Sequence, residues 1–502
     1  MAILTALAAG HGWTAGDLSA TGHIEMCPAY QKVYFADGRT SANGGYNKLD
    51  CVNTRCVGTV GDGPFTQGEI VTQATSGATG IFDENVGTGA TAWSLIYRTT
   101  TTEFDTTNEI TGADSGATLT PTAVVAPPHW TPWTLTDGIF PDGGTNLMGL
   151  CFGRIFMNDL AHPHQWLCTR VNDPLDTDTS QTDMAAACSS QTAKAGQVGQ
   201  ELTAFIPYKD FYMLFGCVNS LWVLRSDPMT GGILTNLSRA TGVFGSQAWC
   251  WDDRNTLYFV GSDGVFGITT KSIQAGEPPI NLTKEHLPEL VTDMGLNRRT
   301  DRVMLSYDKR RYGLTLNAVQ ADSGWSVNMW IDLRKGGVWP ETYQTDHLPH
   351  STMYYDCRKD SERQLLWGGG DGYIRKFSEA HKNDDGSNAI SSQVVVGPIV
   401  SDGETPREKI EMDDLSVTVG QDTDGITVSI YKAATAEELT DNIQSGVGAN
   451  LQKTFTSTKL LAAVRQKMAD GAIAIKLSNS TASQSWSIEK ISANLKGSGR
   501  IK

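Results

Sequence analysis

The stretch Gln247–Thr269, QAWCWDDRNTLYFVGSDGVFGIT, decides the fold. Two apolar runs, Ala248–Trp251 and Thr256–Val260, flank the polar tetrad Asp252–Asn255, and a third run, Val265–Ile268, follows the turn Gly261–Gly264. Each run has strand length, is rich in aromatic and β-branched residues, and is bounded by turn chemistry. Three antiparallel strands joined by tight turns form a meander, most of one propeller blade.

The pattern recurs on both sides. Leu147–Phe152, Arg154–Met157 and Gln165–Arg170 form one unit, and Thr203–Ile206, Asp210–Phe215 and Leu221–Leu224 the next. After the opening stretch come Arg302–Tyr307, Tyr312–Ala318 and Val327–Leu333, then Thr352–Cys357, Gln364–Trp367 and Tyr373–Phe377. Three units share a turn before the last strand: Phe215–Leu221, Val260–Val265 and Trp367–Tyr373, two of them glycine-rich, as φ > 0 in a tight hairpin requires. Five units plus residues 12–60 make about six blades of uneven spacing. The expected fold is therefore all-β: an irregular, roughly six-bladed β-propeller core over 127–380, with residues 1–60 contributing to its closure. A large sandwich or jelly roll competes, but does not explain strands that come in threes.

Residues 61–126 stand apart. They hold eight acids and one base, Arg98, and they repeat internally: FTQGEIVTQATSGAT from Phe65 aligns without gaps to FDTTNEITGADSGAT from Phe104. Phe, Thr, Ala and a complete Ser-Gly-Ala-Thr tetrad coincide, so a small acidic β-insert is expected. Between blades, Thr283–Gly295 has the signals of a short helix. After a polar linker, residues 389–502 alternate again and predict a C-terminal β-sandwich, with Ala433–Asn442 and Lys459–Asp470 helical or loop-like.

Composition narrows the function. A net charge of −15 and a pI of about 5.1 argue against a surface built to grip phosphates, while an acidic wall is what a conduit would need for DNA to slide past without sticking. Nine cysteines, at 27, 51, 56, 151, 168, 188, 217, 250 and 357, show no C-x-x-C spacing and read as reduced thiols, mostly in apolar runs. No positive segment precedes the apolar start and no run spans a membrane, so the expected compartment of assembly is a reducing cytoplasm.

Candidate chemistry is sparse. His162-Pro163-His164 has H-x-H spacing without a third ligand cluster. Asp263 and Asp371 sit in hairpin turns, where aspartate satisfies backbone N–H groups. The glycine pairs Gly143-Gly144 and Gly231-Gly232 and the triplet Gly368–Gly370 do not open helices, so no phosphate loop is present. Asp252-Asp253 and Asp384-Asp385 read as solvated turn acids. Trp130, Trp133, Trp166, Trp222, Trp249, Trp251, Trp330, Trp339 and Trp367 read as packing between blades. Neither catalytic, cofactor-binding nor metal-binding residues are singled out.

The segment Phe152–Asp176, FGRIFMNDLAHPHQWLCTRVNDPLD, resembles one found in tail proteins of short-tailed bacteriophages: Gly153-Arg154 opening a strand, a loop with Pro163, then Thr169-Arg170 and Asp173-Pro174. Asn255–Ile268 is similar to that family's "YFLG-x-x-GVY" strand pair. Arg302–Leu316 is similar to its "Y-D-x-x-R" hairpin, with Tyr307, Asp308 and Arg311 or Arg310 in place. The family is the tail nozzle, also called tail tubular protein B or tail hub. The resemblance spans roughly 145–380 and implies a structural virion protein, not an enzyme. It implies a homohexameric tube that docks to a tail adaptor and to fibres or spikes and conducts genomic DNA without reading its sequence. The rival readings are a propeller that binds or cleaves host-surface glycans and a fibre-docking hub without a channel.

Overall fold

The computed structural model describes residues 11–14, 16–19, 23–87, 92–285, 287, 292, 294–322, 324–343, 347–378, 381–384, 388–401, 408–421, 423–455, 461–464 and 467–500. The chain divides into two compact units, Met1–Lys376 and Phe377–Lys502.

The first unit is a series of antiparallel meanders. Blade 1 is Glu25–Ala29, Lys32–Ala36, Tyr46–Asp50 and His129–Pro132; blade 2 is Met148–Cys151, Arg154–Asn158, Trp166–Cys168 and Cys188–Ser189. Blade 3 is Leu202–Tyr208, Tyr212–Cys217, Leu221–Arg225 and Ile233–Ser238; blade 4 is Trp249–Trp251, Thr256–Val260, Val265–Thr269 and Ile280–Asn281. Blade 5 is Arg302–Asp308, Gly313–Val319, Ser326–Asp332 and Val338–Glu341, and blade 6 is the three-stranded Pro349–Tyr355, Gln364–Gly369 and Ile374–Lys376. The five triplets legible in the sequence are thus the first three strands of blades 2 to 6. The outer fourth strands of blades 2 and 4 have two residues each, too few to show a period.

The leading segment builds most of a blade of its own. Glu25–Asp50 completes no other blade's sheet; it supplies three strands of a blade whose fourth comes from His129–Pro132. The insert is therefore spliced between the third and fourth strands of blade 1. Its seven-stranded sheet begins at Thr54–Val57 and ends at Ala123–Val125. The two repeats lie side by side, pairing Val71 with Gly112 and Thr72 with Thr111. Equivalent residues Phe65 and Phe104, and Ala78 and Ala117, enter one core. Gly77 and Gly116 take the same left-handed φ, 77° and 69°, in the two Ser-Gly turns.

Three apolar clusters join the blades in sequence. Tyr34, Tyr46 and Trp133 meet Ile155 and Met157 between blades 1 and 2. Phe156, Trp166, Phe205 and Phe215 fill the space between blades 2 and 3, with centroids 5.3–6.4 Å apart in tilted and edge contacts. Leu214, Phe259, Leu305 and Leu316 belong to the cluster of blades 3 to 5. Of the tryptophans, Trp130, Trp133, Trp166, Trp330 and Trp367 are buried, whereas Trp339 is 54% exposed and is not packing between blades.

A second system of contacts passes between the first hairpins. Tyr30 donates to the Gly153 carbonyl at 2.6 Å, and the Cys151 thiol to that of Tyr212 at 3.3 Å. Trp251 Nε1 donates to the Pro207 carbonyl at 3.2 Å, Tyr307 to Asp253 at 3.0 Å, and Arg310 to the Ser361 carbonyl at 2.9 Å. Each contact links one blade to the next, from blade 1 to blade 6. The hairpins of blades 1 to 5 each hold a non-glycine residue at positive φ: Tyr30, Phe152, Lys209, Asn255 and Tyr312 at 50–60°. L-residues seldom occupy this region, but tight hairpin turns require it.

A short helix occurs at Thr270–Ala275, capped by Thr269. The helix expected over Thr283–Gly295 falls partly outside the described residues, which lack 286, 288–291 and 293. In the second unit, Ser392–Val400, Ala472–Asn479, Ile426–Ala433 and Leu451–Phe455 form one sheet. Leu461–Val464, Met468–Asp470, Glu408–Val419 and Ile488–Arg500 form the other. Met412, Leu415, Val417, Val428, Ile430, Ile475 and Leu477 share the core of this sandwich. Ala436–Gln444 is helical, with Thr435 accepting from the Glu438 N–H. Lys459–Asp470, read as helical or loop-like, is strand over Leu461–Val464 and Met468–Asp470 because apolar residues there pair with Glu408–Val419.

Phe215→Ala should lower the stability of the first unit by about 3–5 kcal/mol, the cost of an aromatic-sized cavity. A urea titration followed by tryptophan fluorescence measures it.

Candidate functional site

The singled-out residues of the segment Phe152–Asp176 come together in and around blade 2. Arg154 is wholly buried at the start of the second strand. Its Nε donates to Asp227 Oδ2 at 2.7 Å, and its terminal nitrogens donate to the carbonyls of Thr169 at 3.0 Å, Met184 at 3.1 Å and Ala186. One planar guanidinium thereby ties the loop 169–187 to the turn after the third strand of blade 3. The Gly153 carbonyl accepts from both Tyr30 and the Asn172 N–H, the latter at 2.8 Å. Arg170 holds Asp183 through both terminal nitrogens at 3.0 Å, and the Pro174 carbonyl accepts from Trp133 Nε1 at 3.0 Å. Gly-Arg, Thr-Arg and Asp-Pro are parts of one lock. Asp227, its anionic member, lies 73 residues from Arg154 and has no sequence signal of its own.

The Tyr307-Asp308 hairpin works in the same manner. Asp308 accepts from the N–H groups of Arg310 and Arg311 at 2.9 and 3.3 Å, closing the turn. The two arginines then separate: Arg311 lies 3.9 Å over the Trp330 ring and donates to Glu341 at 3.0 Å, while Arg310 reaches blade 6.

At the root of the insert lies a buried charge cluster. Lys32 and Lys48 project from blade 1, and Asp83 and Glu84 from the insert's longest strand. Lys32 Nζ is 2.6 Å from Asp83 and 3.4 Å from Glu84; Lys48 Nζ is 2.7 Å from Glu84. Asp50 accepts from the N–H groups of Val52 and Asn53, and Asn53 bridges Asp50 to Asp83 at 2.7 and 2.8 Å. Ions so far from water persist only when paired, so the insert is held by charge as well as by chain. Lysine at the buried second-neighbour position between Tyr46 and Asp50 was the available signal, and the sequence reading passed over it. Beside the cluster, His129 is fully buried with neither ring nitrogen in a hydrogen bond of normal geometry. Burial, with the Arg55 charge nearby, pushes its pKa down to about 4.

The remaining candidates stay apart. His162 pairs with Asp159 at 2.8 Å and both it and His164 are exposed; among the described residues no group of three or more His, Cys, Asp or Glu is placed to hold a metal. Asp371 accepts from the Tyr373 N–H and from Arg375, whose bond holds its carboxyl well below the usual range. The Asp263 carbonyl accepts from Asn281 at 3.3 Å. An apolar depression of about 250 Å³ is lined, among the described residues, by Leu287, Met329, Val338 and Pro340. All nine cysteines are free thiols, six of them buried.

No family model matches the chain, and no curated protein matches it. Among solved structures, Hsv2 of Kluyveromyces lactis is 9% identical over 64% of this chain and 98% of that one, with a TM-score of 0.25. A protein of unknown function from Bacteroides thetaiotaomicron is 10% identical over 72% and 87%, with a TM-score of 0.30. Dihydro-haem d1 dehydrogenase NirN is 11% identical over 91% and 78%, with a TM-score of 0.28. Similarity of this size transfers neither activity nor partner, and the propeller assignment rests on the sheet order itself.

Arg154→Met should cost about 3–5 kcal/mol, since it strands Asp227 and three carbonyls in a dry site, and Arg154→Lys should not restore the loss; denaturation midpoints of the two variants decide this. Because His129 titrates lower in the folded chain than in the unfolded one, stability should fall as pH drops from about 6.5 to about 4. His129→Phe should remove about one proton from that slope, read from denaturation midpoints at several pH values.

Proposed function

We propose that the chain is a structural protein of a short bacteriophage tail, a nozzle subunit whose copies form a tube for DNA. The observation that carries this reading is the use made of the resembling residues. Gly153-Arg154, Thr169-Arg170, Asp173-Pro174 and Tyr307-Asp308-Arg311 bond to backbone and to structural carboxylates such as Asp227, Asp253 and Glu341, and none of them lines the apolar depression. A motif of that kind serves a family whose work is shape, and suits a non-enzymatic subunit.

Two further features support it. The net charge of −15 gives a wall that does not hold phosphate. Ser246 Oγ, ahead of blade 4, lies 2.9 Å from His23 Nε2, ahead of blade 1. These blades are three apart in an order of six, so the leading segment crosses between opposite blades. On this reading the conduit lies between subunits, not along the axis of one propeller. Adaptor, fibres or spikes would dock to its outer surfaces, and assembly would occur in the host cytoplasm before incorporation into the virion. Among the described residues no helix is long and apolar enough to cross a membrane.

Native mass spectrometry and electron micrographs of the purified chain should give a six-fold ring with an acidic lumen. A solely monomeric species under assembly conditions, or a basic lumen, would overturn the reading. Binding of a host glycan by the isolated chain would favour the glycan-recognising propeller instead.

A further inference from the structure

Two of the nine cysteines face each other. Cys168 ends the third strand of blade 2, Cys188 opens the fourth, and the antiparallel register sets them directly opposite. Their Sγ atoms are 3.2 Å apart, and both side chains are wholly buried. A disulfide requires about 2.05 Å between sulfurs, so closure asks for a shift of about 1 Å. Arg154 supports the geometry. It donates to the carbonyls of Thr169, one residue after the first cysteine, and Ala186, two before the second. This holds both strand ends and sets a positive charge near the sulfurs.

We propose that Cys168 and Cys188 are a covalent modification site, a cross-strand dithiol that closes to a disulfide in exchange with a small disulfide of the glutathione class. The thiolate of one cysteine attacks a sulfur of oxidised glutathione, forming a mixed disulfide and expelling one glutathione thiolate. The second cysteine thiolate then attacks the protein-bound sulfur of that mixed disulfide, forming the Cys168–Cys188 bond and expelling the second glutathione. The two protons lost by the cysteines end on the two glutathione thiols, and the two electrons reduce the oxidant.

The pair is slow to react while the blade is closed. Its hydrogen bond with the Cys168 sulfur and its burial both hold the Cys188 thiol well above its ordinary range. Attack therefore waits for the two-residue fourth strand to open. Once formed, the bond closes the loop 169–187 that Arg154 and Arg170 organise, and constrains the unfolded chain. One consequence rests on the virion reading above: a chain folded with reduced thiols would gain this staple when the particle reaches an oxidising medium.

The test uses the full chain, incubated with oxidised glutathione or with dithiothreitol, then alkylated and digested with trypsin. Cleavage after Arg154, Arg170 and Lys194 separates the segments 155–170 and 171–194, so the linkage appears as one joined peptide pair. The expected result is that pair in high yield, loss of two alkylation sites, and a Tm raised by several degrees over the reduced chain. Cys168→Ala and Cys188→Ala should each abolish the link and the Tm rise, and reduced-state Tm values of both variants report any folding defect separately. Adducts confined to Cys51 and Cys357, with Cys168 and Cys188 unlinked even in urea below the unfolding midpoint, would overturn the proposal. The readout is independent of oligomeric state, so its failure and that of the nozzle reading are distinguishable.

Discussion

The contacts that pass from one first hairpin to the next constrain the first unit most. Each blade alone is a small meander with two apolar faces, and isolated sheets of that size are marginal in water. Stacking buries the faces, but apolar contact has no direction. The hydrogen bonds from Tyr30, Cys151, Trp251, Tyr307 and Arg310 do have direction, and each joins blades adjacent in the chain. They set register between blades as the aromatic clusters set distance. Positive-φ residues such as Tyr30 and Tyr312 are the local cost, offset by the packing around them.

Arg154 and the insert's charge cluster extend the same logic. Both place charge where water is scarce, and both tie an elaboration to the blade framework: the loop 169–187 in one case, the seven-stranded insert in the other. The insert enters between the third and fourth strands of blade 1, the same position at which blade 2 carries its long loop. Elaboration after the third strand leaves the inner strands undisturbed, which is why the chain tolerates an insertion of this size inside a blade.

The polar groups are spent on this framework. Asp227, Asp253, Asp308 and Glu84 all accept bonds from neighbouring blades or turns, and the apolar depression near Met329 draws in none of them. These carboxylates serve the shape of the fold, which is what the proposed tail subunit would require of them.

The sequence by itself determined the all-β class, the inner three strands of most blades, the internal repeat at Phe65 and Phe104, and the sandwich at the end. These follow from local periodicity and turn chemistry, which each segment carries in its own residues. Tertiary structure alone decided the rest. That Glu25–Asp50 and His129–Pro132 form one blade depends on pairing across the whole insert. That Arg154 meets Asp227, Lys48 meets Glu84 and Cys168 faces Cys188 depends on which strands become neighbours. The first hairpins of blades 1 to 5 share a positive-φ backbone conformation and not a residue type, with Tyr30, Phe152, Lys209, Asn255 and Tyr312 at that position, so no single residue marks it. Short outer strands and long-range ion pairs leave no period to read, because their partners are supplied by other blades.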